Sequence, residues 1–313
     1  MAVFFHNDPL PVFQNAVITI GTFDGVHQGH QQILNQVVAR AKEVNGESVV
    51  ITFEPHPRRL LFPDKPLKLL TSLAAKLELL QQSGMEHVVI IPFTRDFSDL
   101  TARQYVEDFL VKKFKPHSIV IGYDHHFGHD RSGNIHLLKE LQEKHNYQLV
   151  EIPEHLIHEA SVSSTKIRKA LMEGKIEEAN EMLSRKFSLK GIVVKGDQRG
   201  RILGFPTANI KLVQEDLLVP ANGVYAVNAI WKGNHLRGMM NIGYNPTFFI
   251  EKKQNIEVHL FDFNQEIYGE DLEVQFVSFL REEQKFPSIE ALKAQLKEDE
   301  ILARKMLVEK IKG

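Results

Sequence analysis

The chain has 313 residues, 38 Lys and Arg against 40 Asp and Glu, a formal net charge of −2 and no cysteine. This length accommodates two domains with substantial cores, and the absence of cysteine excludes disulfides, thiolate metal sites and cysteine nucleophiles. The charge is balanced and no polybasic run occurs, so nucleic acid is not an expected partner. With no stretch of about 18 apolar residues and no secretory signal, no membrane association is expected and the cytoplasm is the expected location.

In the first half, apolar runs at Ala16–Ile20, Ser48–Phe53, His87–Phe93, Ser118–Ile121 and Tyr147–Ile152 alternate with helix-like stretches near 28–45, 73–83, 102–114 and 135–145. Near-continuous Val/Ile strands separated by helices predict an α/β fold with a parallel sheet covered on both faces. Such sheets bind ligands beyond the carboxyl ends of their strands. Three unusual loops fall there: Gly21–His30 (GTFDGVHQGH), Glu54–Pro57 (EPHP) and Gly122–Gly128 (GYDHHFG). The first is the most informative. It is a glycine-rich turn with His27 and His30 at a helix start, where backbone amides and the helix dipole favour anions. Residues 155–184 read as helical, with Ser163 or Ser164 as N-cap and Arg168 one turn in, on the Ser164 face.

From Phe187 the period changes. Strands are expected at Phe187–Val194, Val224–Trp231, Leu236–Ile242, Ile256–Phe263 and Leu272–Leu280, with a hairpin at Lys232-Gly233-Asn234. This predicts an antiparallel barrel or sandwich. On the fourth strand Glu257 and His259 share one face, leaving Val258 and Leu260 for the core. A closing helix capped by Ser288 carries Ile289, Leu292, Leu296, Leu302 and Met306 as an expected docking stripe. No GxxxxGK[ST] pattern occurs, so a P-loop kinase is excluded.

Taken together, these segments resemble the bifunctional riboflavin kinase/FMN adenylyltransferase family, the prokaryotic FAD synthetases. The first half carries GTFDGVHQGH (21–30), FEPHP (53–57), the 122–128 loop and SSTKIR (163–168). The second carries GDQRGRILGFPTAN (196–209), MNIGYNPTF (240–248), EVHLFDF (257–263) and REEQKF (281–286). The resemblance implies a Rossmann-like parallel-sheet nucleotidyltransferase domain over 1–184 and an antiparallel β-barrel riboflavin kinase domain with a closing helix over 185–313.

At the first site it implies attack of the FMN phosphate on the α-phosphorus of ATP. FMN phosphate is already largely dianionic at neutral pH, so no base is needed. The demand is alignment and charge stabilisation. His27 and His30 would donate to the reacting oxygens, with Gly21, Phe23, Asp24 and Gly29 shaping the ATP site. Ser164, Thr165 and Arg168 would hold the β,γ end. Asp24 either orients the turn or assists Mg²⁺. Phe53, Pro55, His56, Asp124 and Phe127 would meet flavin. Many relatives carry an aromatic and an arginine where this chain has His125 and His126; with His129 and Asp130 these also allow a transition-metal reading.

At the second site the resemblance implies phosphorylation of riboflavin, whose neutral 5′-hydroxyl calls for a base. Glu257 matches that base. Thr207 and Asn209 match the Mg²⁺–ATP ligands, Gly196, Gly200, Gly204, Pro206 and Asn241 the ATP contacts, and Arg281 and Phe286 the flavin contacts. Gly196–Gly204 is expected to be a mobile nucleotide loop. The implied small molecules are ATP, riboflavin, FMN and FAD, with Mg²⁺ as cofactor; oligomeric state is not readable. A monofunctional kinase with an impaired first site, or a flavin-binding regulatory protein without turnover, would account for part of the pattern.

Overall fold

The computed structural model describes residues 1–5, 8–65, 67–153, 162–196, 199–244 and 254–309. The expected helix over 155–161 and the NPTF end (245–248) of the second-half motif lie outside the described residues. The chain forms two compact units, Met1–Ser164 and Thr165–Gly313.

The first unit is built on a six-stranded sheet. Its strands are β1 (Ala2–Phe5), β2 (Val17–Ile20), β3 (Ser48–Phe53), β4 (His87–Ile91), β5 (Ser118–Gly122) and β6 (Gln148–Ile152). Their order is β1-β4-β3-β2-β5-β6, and every pairing is parallel. Successive residues face opposite sides of a strand, and here each side is a core. Ile18, Ile20, Val49, Ile51, Ile119 and Ile121 join one cluster, while Val17, Val50, Val88 and Val120 join the other. That is why β2 and β3 read as near-continuous apolar runs, with Thr19, Ser48 and Thr52 the buried polar exceptions.

The chain order reverses between β2 and β5, the switch point at which such sheets form a crevice. The loop after β2 and the loop after β5 both open there. Strand β1 was not expected: its four residues lack turn signals, and pairing with β4 is what makes it a strand. The expected helix 102–114 divides into Ala102–Gln104, a π-helical turn at Tyr105–Val111, and Lys112–Phe114. Tyr105, Val106, Phe109 and Leu110 are all buried in this segment.

The second unit begins with the helices Ser164–Met172 and Ile176–Leu183, separated at Gly174, whose φ is +72°. Six strands follow: β7 (Ser188–Val194), β8 (Ala208–Leu212), β9 (Gly223–Trp231), β10 (Asn234–Tyr244), β11 (Gln254–Leu260) and β12 (Asp271–Arg281). They close an antiparallel barrel in the order β10-β11-β8-β7-β12-β9. Strand β8 is too short and polar to be recognised from its pattern; its partners β7 and β11 define it. Residues Arg199–Leu203 form a short helix inside the segment expected to be an open loop.

The closing helix spans Ile289–Glu309 and is capped as expected, the Ala291 amide donating to Ser288 Oγ at 3.1 Å. Its docking stripe differs from the expected one. Ile289 and Leu302 are exposed, whereas Leu296 and Met306 pack on the core as expected, and the fully buried positions beside them are Asp299, Ala303 and Leu307. An acidic residue inside the stripe hid its register.

The helix Ile176–Leu183 is fastened to the barrel by two side chains: Glu177 Oε1 accepts from Ser278 Oγ at 2.5 Å, and Asn180 makes a two-way contact. Asn180 Nδ2 donates to the Phe276 carbonyl at 2.9 Å, and Asn180 Oδ1 accepts from the Phe187 amide at 2.7 Å. Removing both partners leaves two backbone groups unsatisfied beside the buried rings of Phe187 and Phe276. Asn180→Ala is therefore expected to destabilise the second unit by about 1–3 kcal/mol, measured as a lowered urea midpoint of the barrel transition.

Candidate functional site

At the carboxyl end of β2 the Gly21 amide still donates to Ile51 O at 3.1 Å. The chain then enters a turn in which Phe23, Gly25 and Val26 have φ of +49°, +85° and +38°. Such angles are strained for a bulky or β-branched residue and persist only where surroundings impose them. Asp24 is the anchor. Its buried carboxylate accepts from the Leu70 amide at 3.0 Å and from the Thr71 amide at 3.2 Å. Thr71 Oγ1 in turn accepts from the Gly25 amide at 3.1 Å. Of the two readings left open for Asp24, this geometry is that of a residue orienting the turn. Ser164 Oγ donates to Asp24 O at 3.0 Å; Ser164 is the first residue of its helix rather than its cap. Thr165 and Arg168 fall in the second unit.

His27 caps the helix Gln28–Glu43, its Nδ1 accepting from the His30 amide at 3.4 Å. That contact leaves the proton of neutral His27 on Nε2. The two imidazoles stack, centroids 3.7 Å apart and 16° between planes. The buried Phe23 ring supports His30 edge-on at 5.1 Å. His30 Nδ1 is buried and has no hydrogen-bond partner among the described residues. Burial, then the His27 and Lys76 charges, hold the His30 pKa well below the usual imidazole range. His30 is thus a neutral donor at pH 7, next to the amides of a helix start. Gly29 is buried within the first turn of that helix.

The neighbouring loops contribute less directly. Phe53 is buried in an aromatic lattice with Phe93 and Phe97, centroids 5.6 Å away in each case. The Glu54–Pro55 peptide is cis, and His56 Nδ1 caps the short helix Pro57–Leu61 by accepting from the Arg58 amide at 3.2 Å. Phe127 is buried too, stacked on Tyr105 at 5.0 Å and 23°. Asp124 is exposed. His125 lies 5.7 Å from Phe127 at 32°, and burial foremost pushes its pKa down to about 4. It therefore offers a flat, uncharged ring at neutral pH. His129 Nδ1 lies 3.2 Å from Asp130, and among the described residues no cluster of three or more His, Cys, Asp or Glu could hold a metal ion.

In the second unit, strand register builds the site. Glu257 pairs with Asn241 on β10 and with Asn209 on β8. Directly opposed residues on adjacent strands project to the same face, so three polar side chains form one row. Along β11, Asn255, Glu257 and His259 alternate with the buried Ile256, Val258 and Leu260, as the period of two requires. Glu257 Oε2 accepts from Thr207 Oγ1 at 3.0 Å, and Glu257 Oε1 accepts from Asn255 Nδ2. His259 Nδ1 lies 2.7 Å from Pro206 O.

A cavity of about 370 Å³ opens on this row, lined by Thr207, Asn209, Asn241, Glu257, Arg281 and Phe286 among others. A Cβ at Gly196 would collide with the Asn209 amide, so only glycine lets that side chain lie against the backbone. A Cβ at Gly200 would likewise strike the Phe205 carbonyl, whereas Gly204 has open space and a φ of +86°. Arg281 lies 5.7 Å from the Phe286 ring. Its guanidinium is also held bidentately by the buried Asp299, at 2.9 and 2.7 Å.

Sequence reasoning passed over Thr71, Lys76, Asn255 and Asp299. Two of them carried a signal. Lys76 interrupts the stripe of Leu73, Leu77 and Leu80, and Asp299 interrupts that of Leu296, Ala303 and Leu307. A charge at an apolar-stripe position is the mark of a buried polar role. Thr71 and Asn255 carried none.

The lowered pKa values have a consequence for stability. An unfolded chain protonates His30 and His125 near pH 6.5, while the folded first unit resists, His125 down to about 4. Both groups contribute stability that is complete above pH 6.5 and lost as the pH falls. The urea midpoint of the first unit is expected to drop between pH 7 and 4.5, and to drop less steeply in His125→Phe.

Residues 11–166 match the family model described as FAD synthetase, and residues 183–307 match that described as riboflavin kinase. A bifunctional riboflavin kinase/FMN adenylyltransferase of Listeria monocytogenes is 39% identical over 287 residues, covering 91% of this chain and 90% of its own. The Escherichia coli K12 protein of the same name is 36% identical, covering 96% and 95%. A crystal structure described as a macrolide-efflux protein from Streptococcus pneumoniae superposes with a TM-score of 0.86 at 31% identity, covering 97% and 99%. That description concerns the other protein; no described helix here is long and apolar enough to cross a membrane. On this identity and coverage across both units, the chain belongs to the bifunctional riboflavin kinase/FMN adenylyltransferase family.

Proposed function

We propose that this enzyme phosphorylates riboflavin with ATP in its barrel unit and adenylylates the resulting FMN to FAD, releasing pyrophosphate, in its sheet unit. The observation that carries the reading is the presence in one chain of both family matches, 11–166 and 183–307, each enclosing its own set of polar groups. We assign the functional domains as 1–184 and 185–313. Small molecules suffice as partners in this reading, and the cytoplasm, where ATP is abundant, is the proposed location.

In the barrel, Glu257 takes the proton of the riboflavin 5′-hydroxyl as the γ-phosphoryl group is transferred. Its two oxygens are oriented by Thr207 and Asn255. Arg281 and Phe286 flank the flavin, and Gly196, Gly200, Gly204, Pro206 and Asn241 shape the nucleotide side. Mg²⁺ prefers oxygen ligands and takes few from protein. The Thr207 hydroxyl and Asn209 amide, with Gly196 leaving room beside Asn209, suit that demand. When bound, the ion would neutralise charge on the ATP phosphates.

In the sheet unit the imidazoles of His27 and His30 donate to the phosphoryl oxygens as charge builds on them. Gly21, Phe23, Asp24 and Gly29 shape the turn that presents them. Flavin is assigned to the side lined by Phe53, Pro55, His56, Asp124 and Phe127. From the family pattern alone, Ser164, Thr165 and Arg168 are assigned to the β,γ end of ATP. No base is required, because the FMN phosphate arrives as the nucleophile.

The division of labour is tested with single substitutions in the full chain. Glu257→Gln is expected to slow riboflavin phosphorylation by about 10²–10⁴-fold and to leave FMN adenylylation unchanged. His30→Ala is expected to slow adenylylation by about 10²–10³-fold and to leave the kinase step unchanged. Chromatographic separation of FMN, FAD, ADP and pyrophosphate reads both. Loss of both steps in either well-folded variant would refute two independent sites.

A further inference from the structure

We propose that Lys76 is a positioning residue for adenylyl transfer, holding from beneath the peptide that carries the histidine turn. The inference rests on the adenylyltransferase reading of the first unit. Lys76 is only 6% exposed. Its Nζ donates to the Thr22 carbonyl at 3.2 Å and to Thr52 Oγ1 at 3.1 Å. Thr52, fully buried on β3, donates to the same carbonyl at 3.2 Å. Two donors therefore draw the Thr22 carbonyl towards the core. A trans peptide is planar, with its N–H opposite its carbonyl. The Phe23 N–H is thereby turned away from Lys76, on the strained residue whose ring supports His30.

A purely structural role does not account for this lysine. The position lies on an apolar stripe, and an unbranched apolar side chain such as methionine fills comparable space without desolvating a cation. The surroundings offset part of the cost of burying the charge. Burial lowers the Lys76 pKa, and the Glu54 and Asp24 carboxylates oppose that shift. The ammonium in turn acts on His30, whose other charged neighbour is His27. Lys76 thus ties three things to one nitrogen: the Thr22–Phe23 peptide, the Asp24 anchor through its field, and the protonation state of His30.

The test uses full-length Lys76→Met and Lys76→Arg. Lys76→Met is expected to unfold at or above the wild-type temperature and to keep its riboflavin kinase rate, while kcat for FMN adenylylation falls about tenfold or more and KM for FMN changes little. Lys76→Arg is expected to recover part of that loss. Histidine NMR supplies a readout of the charge itself: the His30 midpoint is expected to rise in Lys76→Met and to return towards wild type in the charge-retaining Lys76→Arg. Adenylylation within about twofold of wild type, or an unmoved His30 midpoint, in folded Lys76→Met would overturn the proposal. Should Lys76→Met not fold, Thr52→Val removes the second donor to Thr22; a smaller fall in adenylylation supports the proposal and a wild-type rate overturns it. If the wild-type protein itself makes no FAD from FMN and ATP, the adenylyltransferase reading fails, and the His30 midpoint alone then decides whether the coupling exists.

Discussion

The buried Asp24 carboxylate accepts the amides of Leu70 and Thr71, and through those contacts a turn with three left-handed residues keeps its shape. Neither Phe23 nor Val26 would hold positive φ in an isolated peptide. The surrounding fold supplies the difference by burying both side chains and tying Gly25 to Thr71. Once the turn is set, the Phe23 ring supports His30, His27 caps the helix, and the two imidazoles stack. The placement of both imidazoles therefore follows from one satisfied carboxylate.

The barrel unit achieves order differently. No strained turn holds Glu257; a register does. Pairing of β11 with β10 and β8 sets Asn241, Glu257 and Asn209 side by side. A slip of one residue would send Glu257 to the core and Val258 to the cavity. The burial of Val258 and its neighbours makes that slip costly, so the apolar face of β11 protects the chemistry on the polar face. An ion pair between Arg281, which lines the cavity, and the buried Asp299 joins the closing helix to the cavity wall.

The two sites also differ in charge, as their chemistry demands. In the proposed phosphorylation site, the Glu257 carboxylate would stand where an alcohol must lose a proton. In the proposed adenylylation site, imidazoles and helix amides would stand where two polyanions meet. A protonated His30 would be a stronger electrostatic partner, yet burial foremost, then the His27 and Lys76 charges, lower its pKa. Its service is then directional donation from a fixed ring, which costs no reorganisation when charge develops.

Much of this was legible in the sequence. Apolar runs of period one and alternating runs of period two separated a two-faced parallel sheet from a barrel, because burial on two faces or one leaves different patterns. Glycines and histidines after the first strand singled out the turn at 21–30, the barrel's candidate residues came from the family resemblance, and the shared face of Glu257 and His259 followed from strand geometry. The rest was decided by contacts between distant segments. Strands β1 and β8 exist through their partners. Asp24 orients a turn because residues 70 and 71 come to it, and Lys76 is buried because the end of β3 lies beneath the turn. Local pattern reports which side of an element is covered; it carries no record of which atom does the covering. That atom is chosen only when the chain closes on itself.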